Sequence, residues 1–218
     1  MPRESTDAKR TRARKILDAL QRAYPDAKIA LDFKTPLQLL VATILSAQCT
    51  DERVNMVTPG LFKAYPTAQA LAKAKPDKLE GEIRSTGFFR SKARSLLGMA
   101  QALVERHGGE VPGEREALVE LPGVGLKTAN VVLGNAFGVD ALAVDTHVFR
   151  VSQRLGLARS EDPDEIHDQL VQIVPKGRLT QGTHLLITHG RRTCVARKPA
   201  CPTCAVRALC PWPDKTRA

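Results

Sequence analysis

Three groups of residues in this 218-residue chain have the types and spacing to do chemistry. The first is an amine, Lys127, in the run Leu121-Pro-Gly-Val-Gly-Leu-Lys-Thr-Ala-Asn130. A lysine amine can attack an electron-poor carbon and form a Schiff base, which divides one difficult bond cleavage into easier steps. The second is a carboxylate, Asp145, in Ala143-Val-Asp-Thr-His-Val-Phe-Arg150, able to stabilise developing positive charge or to move a proton. The third is a set of thiols, Cys194-x6-Cys201-x2-Cys204-x5-Cys210, close enough in sequence to encircle one compact centre.

Each group also has a plainer reading. Pro122, Gly123 and Gly125 predict a tight hairpin between a short helix ending near Glu120 and a longer one from Lys127 to Phe137. Such a hairpin lets a large ligand reach the backbone, and the second helix opens with unpaired N–H groups suited to a phosphate. Equally, it is an ordinary turn with Leu121, Val124 and Ala129 in the core. Asp145 precedes an apolar-periodic segment (Val148, Val151, Leu155) and so reads as its N-cap. Backbone N–H groups would then aim the carboxylate, so capping does not preclude catalysis. His147, on the first turn, reads as a structural hydrogen-bonding residue.

All-cysteine ligation is the habit of iron–sulfur centres, and structural zinc is the rival. Zinc sites more often present two separated Cys-x2-Cys knuckles. Here only Cys201/Cys204 forms one, so the spacing favours a cluster. Arg197 and Lys198 fall between the first two thiols, at the tip of a loop that coordination would pin and that can meet phosphates. The fifth cysteine, Cys49, reads as a small, buried, reduced residue. It lies in one of two polar turns, Ser46-Ala-Gln-Cys-Thr-Asp51; the other is Gly87-Phe-Phe-Arg-Ser-Lys92. Gln48 is either a capping side chain or a source of hydrogen bonds to a distorted duplex. Phe88 is either core or a wedge.

The elements that must position these groups are helical. Leucine and alanine recur at helical spacing, and no sustained β-branched alternation predicts a strand, so the expected class is all-α. Thr35-Pro36, Pro76, Pro163 and Pro202 mark helix starts. Gly108-Gly109 closes a segment from about Phe89 to His107 with an apolar stripe of Ala93, Leu96, Leu97, Ala100 and Leu103/Val104. The best boundary is Val139–Asp140, where a basic, cysteine-bearing end begins whose natural partner is the basic N-terminal helix.

Charge supports that pairing. The formal net charge is +10, of which residues 1–15 hold +4 and residues 190–218 hold +6, leaving the middle neutral. Basic ends of this kind suit a polyanion. The longest apolar stretch, Leu37 to Ala47, falls well short of the ~20 residues of a membrane span. The charged first residues lack the apolar core of a secretory signal, so a cytoplasmic, reducing location is expected.

Taken together, Leu121–Asn130, Ala143–Arg150 and His189-Gly-Arg191 leading into the cysteine loop resemble the endonuclease III family of DNA glycosylases, with the match spanning about residues 29 to 210. The resemblance implies a helical barrel with a helix-hairpin-helix (29–139) and a [4Fe–4S] domain built from residues 1–28 and 140–218, two lobes with a DNA-binding cleft between them. It implies a bifunctional DNA glycosylase/AP lyase of base excision repair that removes oxidised or ring-saturated pyrimidines from double-stranded DNA and cleaves abasic sites by β-elimination. It implies Lys127 as nucleophile, Asp145 as the essential carboxylate, and Cys194, Cys201, Cys204 and Cys210 as cluster ligands. Gln48 matches the residue that fills the gap left by a flipped nucleotide, and Phe88 the apolar wedge. Gly123, Val124, Gly125, Arg197 and Lys198 would contact DNA, and a monomer is expected. A relative that removes adenine opposite oxidised guanine lacks the hairpin lysine and carries a further C-terminal domain, whereas this chain has Lys127 and ends at Ala218. Phe89 replaces a more familiar tyrosine, and Cys49 a small residue. Were Lys127 not the nucleophile, the N-terminal amine or Lys92 would stand next. Two other readings remain at this point: a catalytically silent DNA-binding module, and a zinc-containing RNA-binding protein.

Overall fold

The computed structural model describes residues 4–217, and among them there is no β-strand. In chain order the helices are α1 (Thr6–Ala23), α2 (Pro36–Leu45), α3 (Asp51–Ala64), α4 (Ala68–Ala72), α5 (Pro76–Ile83), α6 (Phe89–His107), α7 (Arg115–Val119), α8 (Leu126–Ala136), α9 (Thr146–Arg154), α10 (Pro163–Ile173) and α11 (Leu179–Arg192). None is long and apolar enough to cross a membrane. The described residues divide into two compact units, one running from Ala30 to Val139 and the other combining those up to Ile29 with those from Asp140 onward.

The Ala30–Val139 unit is organised around α2 and α6. Thr35 caps α2 by accepting the Gln38 N–H at 3.2 Å, and Pro36 occupies the first turn. Leu39 to Leu45 are all buried, so the apolar stretch of the sequence is a core helix, packed against α3, α6 and α8. Helix α6 ends where the glycines demand, with Gly108 in the left-handed region (φ +62°). Ala93, Leu96, Ala100 and Leu103 of its expected stripe are buried, joined by Met99. Val104 departs from expectation: at 37% exposure it has rotated off the buried face, which α6 presents to α2, α4 and α5.

In the other unit, α1 packs on α10 and α11, and α9 packs on the same two helices. Ile16, Leu17, Leu20, Val148, Val151, Leu170, Leu185 and Leu186 share one core. The basic N-terminal helix is partly consumed in building it. Arg12 donates from Nη1 to the carbonyl of Leu155 at 2.6 Å and from Nη2 to that of Gly156 at 3.1 Å, where α9 runs out of its own donors. Asp140 plays the complementary part at the start of α11, its carboxylate accepting from Gly177 and Leu179 N–H at 2.6 and 2.7 Å. Pro202 begins only a 3₁₀ turn, Cys201–Thr203, in place of the expected helix.

Candidate functional site

The hairpin lies between α7 and α8. Gly123 adopts φ +79°, and a Cβ there would stand 2.6 Å from Ser95 Cβ on α6. This glycine therefore serves backbone conformation and helix contact. Gly125 is different: it is the N-cap of α8, no side chain caps that end, and a Cβ would meet nothing within 4 Å. Leu121, Val124 and Ala129 are buried, so the core reading of this turn holds while its backbone still faces outward at the exposed Gly123 and Gly125. Lys127 is exposed on the first turn of α8.

Asp145 belongs to the other unit and is the N-cap of α9. Its Oδ1 accepts N–H bonds from His147 at 2.9 Å and Val148 at 2.7 Å, which fixes the half-buried carboxylate at a helix start. His147 has the structural role its position suggested: Arg150 Nη2 donates to its Nδ1 at 3.2 Å. The same guanidinium donates to the carbonyls of Gly190 at 2.9 Å and Cys194 at 3.2 Å, so α9 is tied directly to the loop that opens the cysteine segment.

Cys194, Cys201, Cys204 and Cys210 line one small cavity, together with His189, Arg154, Arg207, Trp212 and Lys215. Burial pushes the Cys204 and Cys210 thiols above the ordinary cysteine range, with the neighbouring cysteines adding to the rise. Arg154 Nη1 stands 3.5 Å from Cys194 Sγ, and its guanidinium lies 4.3 Å from the Trp212 ring centroid. His189 is buried, bonded through Nδ1 to the Tyr24 hydroxyl at 3.0 Å and with Nε2 3.8 Å from Cys204 Sγ. Its desolvation lowers the imidazole pKa to about 4. Among the described residues no three His, Cys, Asp or Glu side chains form a site for a single metal ion. Four soft thiols on one cavity, with cations beside them to offset thiolate charge, are nevertheless a donor set that fits an iron–sulfur cluster. Arg197 and Lys198 are exposed in the loop between the first two cysteines, Lys198 at φ +51°.

The two polar turns belong to the Ala30–Val139 unit. Gln48 (φ +51°) and Phe88 (φ +48°) are both left-handed without being glycine, and both are exposed, Phe88 at 66%. Phe88 is not core, and Cys49 is half-buried where full burial was expected. Lys92 is buried, donating from Nζ to the carbonyls of Leu45 and Thr86 at 2.8 and 2.7 Å. That commitment separates it from the exposed Lys127; the N-terminal amine lies outside the described residues. Sequence reasoning did not single out Arg154, Trp212 or Tyr24, because nothing local marks a side chain whose partner is forty or more positions away.

Comparison with known proteins agrees with these features. The family model of the HhH-GPD superfamily of base excision DNA repair proteins matches residues 41–176. The chain is 52% identical over 205 residues to endonuclease III of Synechocystis, covering 94% of both proteins, and 41% identical over 200 residues to endonuclease III of Escherichia coli, covering 92% of this chain and 95% of that one. A solved structure of a trapped endonuclease III–DNA covalent intermediate, an estranged-adenine complex, superposes with a TM-score of 0.89 at 44% identity, covering 93% of this chain and 95% of that one. The chain thus belongs to the endonuclease III family within the HhH-GPD superfamily, DNA glycosylases with AP lyase activity that act in base excision repair.

Proposed function

We propose that this protein excises oxidised or ring-saturated pyrimidines from double-stranded DNA and then cleaves the strand, with Lys127 as nucleophile. A base in a stacked duplex hides its sugar carbon, so the nucleotide must be flipped out, which favours damaged and weakly stacked bases. The Lys127 amine attacks C1′ as the glycosidic bond breaks and the base departs with the bonding electrons. Loss of the amine proton and opening of the sugar ring give a Schiff base. This acidifies C2′, whose proton leaves as the bond to the 3′ phosphate breaks; water then releases the enzyme from the cleaved strand. Asp145 stabilises positive charge developing on the sugar or carries one of these protons. Gln48 occupies the vacated space in the duplex, and Phe88 wedges beside it. The backbone of Gly123, Val124 and Gly125, with Arg197 and Lys198, grips phosphates.

Cys194, Cys201, Cys204 and Cys210 would hold a [4Fe–4S] cluster; their ligation would pin the loop carrying Arg197 and Lys198, while the excision itself is carried by Lys127 and Asp145. On this reading the cluster belongs to the unit with Asp145, the hairpin to the unit with Lys127, and the protein works as a monomer on DNA in the cytoplasm.

The observation carrying the reading is the exposed amine of Lys127 on the first turn of a helix whose N-cap glycine leaves the backbone open. A relative trapped as a covalent intermediate with DNA supports it. Borohydride reduces a Schiff base to a stable amine, so wild-type protein with an oxidised-pyrimidine duplex should yield an irreversible adduct. Lys127→Gln should yield none while retaining specific binding. A trapped Lys127→Gln adduct would assign the nucleophile elsewhere.

A further inference from the structure

Two exposed turns in the Ala30–Val139 unit hold non-glycine residues in the left-handed region, a conformation that costs energy and persists only when the surroundings enforce it. One follows α2 and presents Gln48; the other precedes α6 and presents Phe88. One atom bonds to both segments. Lys92 Nζ donates to the carbonyl of Leu45, three residues before Gln48, at 2.8 Å, and to that of Thr86, two residues before Phe88, at 2.7 Å. Leu45 is the last residue of α2, where helix carbonyls lack intrahelical partners. The Lys92 backbone N–H also bonds the Phe88 carbonyl at 3.0 Å.

A buried ammonium is costly unless hydrogen bonds compensate it. A neutral residue at this point in the core would avoid that cost, but it would remove the two hydrogen bonds that join the turns. We infer that Lys92 is a positioning residue, a clasp that sets the spacing of the Gln48 and Phe88 turns so that both enter the duplex in register when a nucleotide is flipped. The inference rests on the reading that those two residues contact DNA. Lys92 touches no reacting atom; it acts through the two turns.

The test compares an abasic site in a duplex with the same strand alone, measuring single-turnover cleavage by the full-length, cluster-loaded protein. A single strand has no stacked gap to fill, so the ratio of duplex to single-strand rate reads the two turns and not the chemistry. Lys92→Met keeps the length and removes the donors; its ratio should fall about tenfold, while its single-strand rate stays within about twofold. Lys92→Arg keeps a donor but in a planar fork, and its ratio should fall less, about threefold. Added to a Gln48→Ala/Phe88→Ala background, Lys92→Met should lower the ratio no further. An unchanged ratio, or an equal loss on both substrates, overturns the clasp. Should Lys92→Met show no cooperative thermal transition, Lys92→Arg decides: an unchanged ratio overturns the inference. If Gln48→Ala/Phe88→Ala itself leaves the ratio unchanged, the DNA-contact reading fails; if only the Lys92 variants do, that reading stands and the clasp falls.

Discussion

A Cβ on Gly123 would come within 2.6 Å of Ser95 Cβ, an atom fixed to the α6 backbone that cannot swing aside. Together with φ +79° this makes Gly123→Ala strained twice over, and a loss of stability on the order of 2–3 kcal/mol is expected in thermal or denaturant unfolding. Gly125→Ser should act oppositely. It keeps a good N-cap and enters open space, so stability should move by less than about 0.5 kcal/mol, whereas DNA affinity should fall because the side chain obstructs the phosphate approach.

Asp145→Asn separates capping from catalysis. Asn caps a helix about as well as Asp, so the unfolding free energy should change by less than about 1 kcal/mol. Turnover should fall by roughly two orders of magnitude or more, the scale of one missing electrostatic or proton-transfer contribution. A variant that unfolds with its residual activity intact per folded molecule would make the carboxylate chiefly structural.

Cys201→Ser should abolish visible absorbance and iron content and weaken folding or DNA binding, since its thiol lines the common cavity. Cys49→Ala should retain all of these. Metal analysis returning one zinc and no iron would reverse the assignment.

Arg197→Ala/Lys198→Ala should flatten the dependence of log affinity on log salt by up to about two units, close to one for each phosphate that a cation no longer neutralises. Both side chains are exposed on one short loop. A slope equal to wild type would place that loop away from DNA.

His184 provides a pH test. Desolvation lowers its imidazole pKa below the ordinary value, so the unfolded chain binds the proton more readily than the folded one. The associated stability is complete above the unfolded value of about 6.5 and is lost as pH falls toward the folded value. Wild type should therefore lose more stability between pH 7.5 and pH 5 than His184→Gln, measured by denaturant midpoints. Equal losses would show that this histidine titrates as if solvated.

Local rules made much of the molecule legible before any coordinates. Thr35-Pro36, Asp145 and Gly108 act within about five residues of themselves, and each starts or stops a helix where its chemistry requires. The hairpin, its lysine and the cysteine spacing are likewise contiguous in sequence. What only the tertiary structure decided depends on partners far along the chain. Lys92 and Lys127 are the same side chain, yet one is buried against carbonyls 47 and 6 residues away and the other is exposed. Gly123 and Gly125 look interchangeable in sequence until Ser95 stands beside one of them. Phe88 reads as core by type and is two-thirds exposed because its left-handed turn carries it outward. Hydrophobicity, charge and local propensity are properties of a residue; burial and hydrogen-bond partnership are properties of a place, and packing assigns the place.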